Sequence, residues 1–394
     1  MHQEFDSKKV LSNPNFRIIL AIVVMGVVGG SIVAPILPSM IEPLGTTNEM
    51  VGLVISVYTF CALLSTPFHG VLADRFGRKK ILVPSIILYG LAGFSIAFVK
   101  EFHWVLILRG LQGMGTAGMM SLGVTLIGDI FIGKARAVAM GYRSSAQSFI
   151  NVLIPFVSGV VATLTWYYPF YIYILALPLA LFVSLRLHLT ETLNQSTLMD
   201  YFRSISLIMK DKKTLWVYIS VFFTFVFLYC LIVYGPILVV DQLKLSTTYT
   251  GVLLSIGSGV AAVTATQAGK VFYRFRNFQI ISFGFLLCGI GLVLIAFTTS
   301  FAWIVFCIVI WGIGFGSVFP ALNTLVTELV SSHLRAGIVS GFTAMIYIGQ
   351  TASPPLFGLI LGRSDLYTVF ITAGLLTLIP IFYTLLMHFV FRKL

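Results

Sequence analysis

Arg143, Gln147 and Asn151 recur at i, i+4 and i+8 in one apolar run, so a helix there puts a guanidinium and two carboxamides on one face. At a shift of 200, Thr343, Tyr347 and Thr351 take the same positions, with Gln350 adjacent. Such groups donate and accept hydrogen bonds without forming an acid/base pair, which suits binding a solute rather than breaking a bond. All 13 Asp and Glu fall in loops, tails or the ends of apolar runs. None sits at the middle of a run, where a carboxylate with a movable pKa would serve proton coupling; Asp129 and Asp241 come nearest. The chain has no nucleotide-binding loop, no metal-ligand spacing and no nucleophile beside a base, which argues against an enzyme and implies no cofactor.

A second constellation is residues 70–80, GVLADRFGRKK. Asp74, Arg75, Arg78, Lys79 and Lys80 crowd together in a chain that is 10% charged. Hydrocarbon excludes such a cluster, so it marks a water-facing turn between two spanning helices. Gly70 and Gly77 suit that turn, where backbones approach closely or φ is positive. Asp129 and Glu328 end two runs that are 199 residues apart. Asp129 is placed to hold Arg78 or Arg75, and Glu328 to hold Arg274 or Arg276. As a latch, these ties are expected to form when the outer side is open and to break when the inner side opens; two unrelated helix-end carboxylates are equally consistent with the spacing.

These residues need membrane helices to hold them. The chain is 58% hydrophobic with mean hydropathy +1.00, more apolar surface than a soluble protein of 394 residues can hide. Its apolar runs are continuous rather than alternating, which selects helices over a β-barrel. The runs predict twelve spans, near 16–40, 50–72, 81–99, 103–128, 137–162, 166–187, 215–240, 247–271, 279–299, 302–327, 336–361 and 367–390. The one long connection divides the chain into a six-helix unit at 1–187, a linker at 188–214 and a six-helix unit at 215–394. In the linker, Leu198, Tyr201, Phe202, Ile205 and Ile208 keep helical spacing, as in an amphipathic helix against membrane lipids.

With both termini inside, 20 of the 25 Lys and Arg fall in inner segments and 3 in outer loops, which predicts cytoplasmic termini in an inner or plasma membrane. The net charge of +12 therefore reflects topology, not nucleic-acid binding. Cys61, Cys230, Cys288 and Cys307 lie in apolar runs and are expected to be free thiols.

The two halves repeat. Pro35-Ile36-Leu37 matches Pro236-Ile237-Leu238; Gly52 and Ser56 match Gly251 and Ser255; Gly70, Arg75 and Phe76 match Gly269, Arg274 and Phe275. Gly113 and Gly115 match Gly314 and Gly316, and Gly141 and Pro155 match Gly341 and Pro355. The near-constant offset implies two parallel six-helix bundles with a site at their seam.

The stretch 70–80 resembles the loop signature G-x-L-A-D-R-x-G-R-K-x of the major facilitator superfamily. LILRGLQGMGTA, with Arg109, Gly110, Gln112 and Gly113, resembles that family's fourth-helix motif. Within the family the chain is most similar to the twelve-helix drug:proton antiporters. Of their fifth-helix motif it keeps Gly141, Pro155 and Gly159, with Ile150, Ile154 and Ser158 where glycines are usual. The resemblance implies an all-α membrane fold of twelve helices in two pseudo-symmetric bundles, alternating access by rocking, and a structural or proton-relay role for Arg109.

The expected cavity adds Tyr58, Tyr229, Tyr234 and Asn323 to Arg143, Gln147, Asn151, Tyr347 and Gln350, with Met and Phe between. Such walls suit an amphipathic small molecule. The expected activity is export of such a compound, coupled to protons, by a monomer. Two alternatives stay open: a carrier of an anionic or lipid-like solute that uses Arg143 without obligatory proton coupling, and a transporter-like receptor that moves nothing. The residues also leave open whether Arg143 faces a cavity or reaches to the membrane surface.

Overall fold

The computed structural model describes residues 8–188, 211–328 and 335–392. It is all helix, with twelve spans: α1 (Pro14–Ile41), α2 (Leu53–Phe76), α3 (Arg78–Phe98), α4 (Phe102–Ile130), α5 (Gly133–Val161), α6 (Tyr168–Arg186), α7 (Lys212–Gln242), α8 (Thr247–Arg274), α9 (Asn277–Ile295), α10 (Phe301–Glu328), α11 (Arg335–Leu361) and α12 (Leu366–Met387). The linker helix expected near 198–208 lies outside the described residues, as do the side chains of Arg274 and Glu328.

Eleven of these helices are long and apolar enough to cross a membrane by composition alone. The exception is α4, whose run is diluted by Arg109, Gln112 and a series of glycines. Both halves pack by one scheme. In the first, α2 and α3 close on α4; in the second, α8 and α9 close on α10. Glycines set these approaches, as small residues do where lipid supplies no hydrophobic drive. A β-carbon at Gly113 would strike the Tyr58 carbonyl on α2, and one at Gly316 would reach the Ala261 carbonyl on α8 at 2.5 Å. The halves meet along two matched contacts, α5 against α8 and α2 against α11.

The turn between α2 and α3 is a single residue. Gly77, with φ 97° and ψ 139°, ends one helix and starts the next, a backbone conformation that a β-carbon would strain. Gly70 does not share this role: it lies inside α2, with open space where its β-carbon would be. The repeated Pro-Ile-Leu marks two distortions. Around Pro35, α1 tightens to a 3₁₀ turn over Ala34–Ile36; after Pro236, α7 widens to a π-turn over Leu238–Gln242.

Candidate functional site

Four hydrogen bonds cross between the bundles among the described residues. Asn48 donates to Asp241 at 2.8 Å, Thr247 to the Gly159 carbonyl at 2.9 Å, and Thr250 to the Pro35 carbonyl at 2.8 Å. The 3₁₀ turn of α1 is thus where a carbonyl receives a cross-bundle bond. The fourth joins the Thr59 and Thr351 hydroxyls at 2.9 Å, in the first third of α2 and late in α11. The first three lie on the face opposite the basic turn at Gly77. Backbones also touch on that far face: a β-carbon on Gly159 would come 3.1 Å from the Gly251 α-carbon, and one on Gly52 would come 2.8 Å from Pro354. No hydrogen bond between described residues crosses the seam on the basic face.

Behind this far-side seal lies a cavity of about 430 Å³ lined by both bundles. The first bundle contributes Ser31, Tyr58, Thr116, Gln147, Ser148 and Asn151. The Ser31 hydroxyl donates to the Asn151 carboxamide oxygen at 2.7 Å, which ties α1 to α5 within this wall. The second bundle contributes Tyr229, Trp311, Phe315, Phe319, Tyr347 and Gln350. Trp311 and Phe315 stack at 5.2 Å with planes 13° apart, and Phe315 and Phe319 stack at 5.9 Å with the same tilt. Phe225 braces both phenylalanines edge-on. One wall is therefore rich in hydrogen-bonding groups, and the other sets a stacked row of rings beside Tyr229, Tyr347 and Gln350.

Arg143 does not line the cavity itself; it sits one turn from the lining Gln147, half-buried, within electrostatic reach of Tyr347 across the seam. Its Nε has no hydrogen-bond partner, and no ion pair joins it to a described residue. Tyr234 and Asn323 stand apart from the cavity, contrary to expectation. Tyr234 is fully buried and donates to the Pro354 carbonyl at 2.7 Å, bracing α7 against α11. Asn323 donates to the Phe319 carbonyl in its own helix at 3.2 Å. Trp311 was not foreseen, although its i, i+4, i+8 spacing with Phe315 and Phe319 mirrors the polar stripe on α5.

Arg109 lies just behind the first wall, 0% exposed. Its guanidinium donates to the Gly29 carbonyl on α1 at 3.0 Å, the Val54 carbonyl on α2 at 3.2 Å and the Gln112 side chain on α4 at 2.6 Å. Three helices are held by one cation. The Tyr58 ring stands 4.1 Å from the guanidinium carbon and screens it from the cavity, while the Tyr58 hydroxyl bonds Thr116 at 2.9 Å. Backbone dipoles and a ring face, not a carboxylate, balance this charge. A β-carbon on Gly110 would come 3.2 Å from the Cys61 sulfur on α2.

On the basic face, Arg78 forms an ion pair with Asp129 at the end of α4, and Asp74 lies close enough to act electrostatically on Arg78. Arg75 sits 5.4 Å from the Phe76 ring, and Lys79 donates to the Leu187 carbonyl at 2.9 Å. The Arg78–Asp129 pair joins two elements of one bundle and is intact while the far face is sealed. The pair ties the start of α3 to the end of α4 within the first bundle. The matching Arg274–Glu328 pair falls on side chains outside the description. The four cysteines are free, with Cys61 half-buried and the others buried.

The model of the Major Facilitator Superfamily matches residues 19–345 and 274–393. Among curated proteins, the chain is 28% identical over 374 residues to the bacillibactin exporter of Bacillus subtilis strain 168, covering 91% of this chain and 92% of that protein. It is 33% identical over 144 residues to the quinolone resistance protein NorA of Staphylococcus aureus strain Mu50, covering 36% of this chain and 37% of the other. Among solved structures, a bacterial homologue of the human lysosomal transporter Spinster, inward-facing and occupied, superposes with a TM-score of 0.82 at 15% identity over 99% of this chain and 98% of that one. A mutant of the nucleoside transporter NupG gives 0.81 at 16% identity, over 95% and 100%. These likenesses to solved structures speak to the fold.

Proposed function

The chain belongs to the Major Facilitator Superfamily, as a multi-pass secondary transporter of a small molecule, and from that premise we propose that it exports an amphipathic organic compound by alternating access. The seam cavity carries this reading. It is shared by two bundles, is sealed on the far face with no cross-bundle hydrogen bond between described residues on the basic face, and sets amides and hydroxyls beside stacked aromatic rings. Relatives named as a bacillibactin exporter and a quinolone resistance protein support the outward direction and the place among the drug:proton antiporters. The basic face, including the turn at Gly77 and both termini, is cytoplasmic on the charge count, so the arrangement described is inward-facing. The rocking bodies are residues 1–187 and 215–394, joined by 188–214, in a monomer.

In this reading Arg109 keeps the first bundle rigid while its inner wall changes partners. Gly70, Asp74, Arg75, Gly77 and Arg78 with Asp129 act as a clasp within that bundle. Proton coupling is part of the proposal, with Asp241 at the far-side seal and Asp129 at the inner clasp as the carboxylates nearest the path. Loaded proteoliposomes test it: a fluoroquinolone should leave wild-type vesicles faster when a pH gradient is imposed. Equal efflux from empty and protein-containing vesicles, across a panel of amphipathic compounds, would refute export. A second reading, an anion carrier without obligatory proton coupling, is favoured by the unpaired Arg143 beside Tyr347. Flux indifferent to the gradient would select it.

A further inference from the structure

We infer that the seam cavity takes an aromatic anion, with its flat body against the ring row of α10 and its acceptor oxygens turned to the unpartnered donors of Arg143 and Trp311. The inference rests on the transport reading above for the cavity being a solute site. It goes beyond that reading in naming the charge and shape of the solute.

The first observation is what the walls lack. None of the described residues lining the cavity is Asp or Glu, and the two charges close behind its walls, Arg109 behind Tyr58 and Arg143 one turn from Gln147, are both cations. A cationic solute entering here would give up its hydration for no counter-charge, which is strongly unfavourable in a dry site.

The second observation is the polarity of the unpartnered groups. Trp311 is 3% exposed, yet its indole Nε1 has no hydrogen-bond partner; the buried Nε of Arg143 has none either. Both are N–H donors that cannot accept a bond. Leaving such a donor dry and unpaired costs about 1–3 kcal/mol. A ligand with acceptor oxygens removes that cost, whereas a ligand rich in donors does not. The amides of Gln147, Asn151 and Gln350 adapt to either, so the two fixed donors decide the preference.

The third observation is shape. Trp311, Phe315 and Phe319 stack on one another within 13° of parallel, so the row turns ring edges outward. The face of a planar aromatic ligand packs on such positively polarised edges in a T-shaped arrangement, while an aliphatic chain gains only contact area. The cavity volume of about 430 Å³ suits a body of a few fused or linked rings.

Three compounds that share one aromatic body separate the alternatives: 2-naphthoate, 2-naphthamide and 2-naphthylmethylammonium. Binding of each to the purified full chain is measured by equilibrium dialysis, and flux of each is measured in proteoliposomes. Naphthoate should bind about tenfold tighter than the amide, with the ammonium weakest. Arg143→Gln should erase the gap between naphthoate and the amide. Arg143→Lys should retain most of it, which keeps the test decisive if the glutamine variant is unstable. Trp311→Phe, which preserves the ladder, should weaken naphthoate and the amide together by a few fold. The inference is overturned if the ammonium binds as well as naphthoate, if none of the three binds, or if the naphthoate preference survives Arg143→Gln in folded protein. Anion-selective binding with no flux of any compound would leave the inference standing and defeat the transport reading instead.

Discussion

Helices α4 and α10 occupy equivalent places in the two bundles and differ in what they bury. The repeat that pairs Gly113 with Gly314 sets Arg109 against Ile310, and the one that pairs Ser56 with Ser255 sets Tyr58 against Gly257. The glycine frame is common to both, and so is the close approach to the neighbouring helices. The first bundle fills the frame with a cation wired to three helices. The second fills it with stacked rings. The difference teaches that the duplication preserved the packing while the walls of the seam diverged. One became a polar, hydrogen-bonded wall and the other a wall built around a stack of rings. A symmetric machine can therefore hold an asymmetric solute.

The comparison breaks most severely when α4 is made like α10. Arg109→Ile strands the Gly29 and Val54 carbonyls and the Gln112 oxygen. It should cost about 2–4 kcal/mol of stability and abolish transport, read by thermal unfolding in detergent and by vesicle flux. The reverse exchange, Ile310→Arg, places a charge with no prepared cradle. Its insertion penalty of about 2.5–3.5 kcal/mol at the membrane centre should appear as poor membrane yield. Closing the far face is the next lever. Gly159→Val drives a side chain into α8, so it should hold the seal ajar, raise thiol labelling at cavity positions from outside and slow transport at least tenfold. Phe315→Ala removes the middle rung of the ladder and should cost about 0.5–1.5 kcal/mol per lost ring pair, seen as weaker binding of aromatic solutes with little change in expression. The smallest effect belongs to Asn48→Ala. Losing one cross-bundle hydrogen bond, worth about 1 kcal/mol, should shift the inward/outward ratio by several fold and leave the bundles intact.

Much of the architecture was legible because lipid imposes a simple code. Continuous apolar runs, a basic turn and a repeat with constant offset were enough for twelve helices in two bundles. Gly77 was legible too, since a one-residue turn between two helices needs positive φ. The site was only half legible. Gln147 and Asn151 stood out because polar residues in an apolar run must face something other than lipid. Tyr234 misled because a tyrosine hydroxyl is equally satisfied by a ligand or by a neighbouring carbonyl, and only the packing of α7 on α11 selects Pro354. Asn323 misled for the same reason, as its amide bonds back to its own helix. Trp311 was hidden because in a helix apolar all round no polarity contrast shows which side faces a seam. The Arg78–Asp129 pair was legible because a helix-end carboxylate beside a basic turn has few other partners.

The central claim is that the solute crosses between two bodies that must separate at Asn48 and Asp241. In a variant whose native cysteines are replaced, Glu49→Cys with Gly362→Cys, where a β-carbon on Gly362 would lie 3.5 Å from the Glu49 side chain across the same far face, can be oxidised to tie that face shut. Transport in proteoliposomes should then stop and return on reduction, while each single-cysteine variant is unaffected by oxidant. Undiminished flux through fully cross-linked protein would contradict the account.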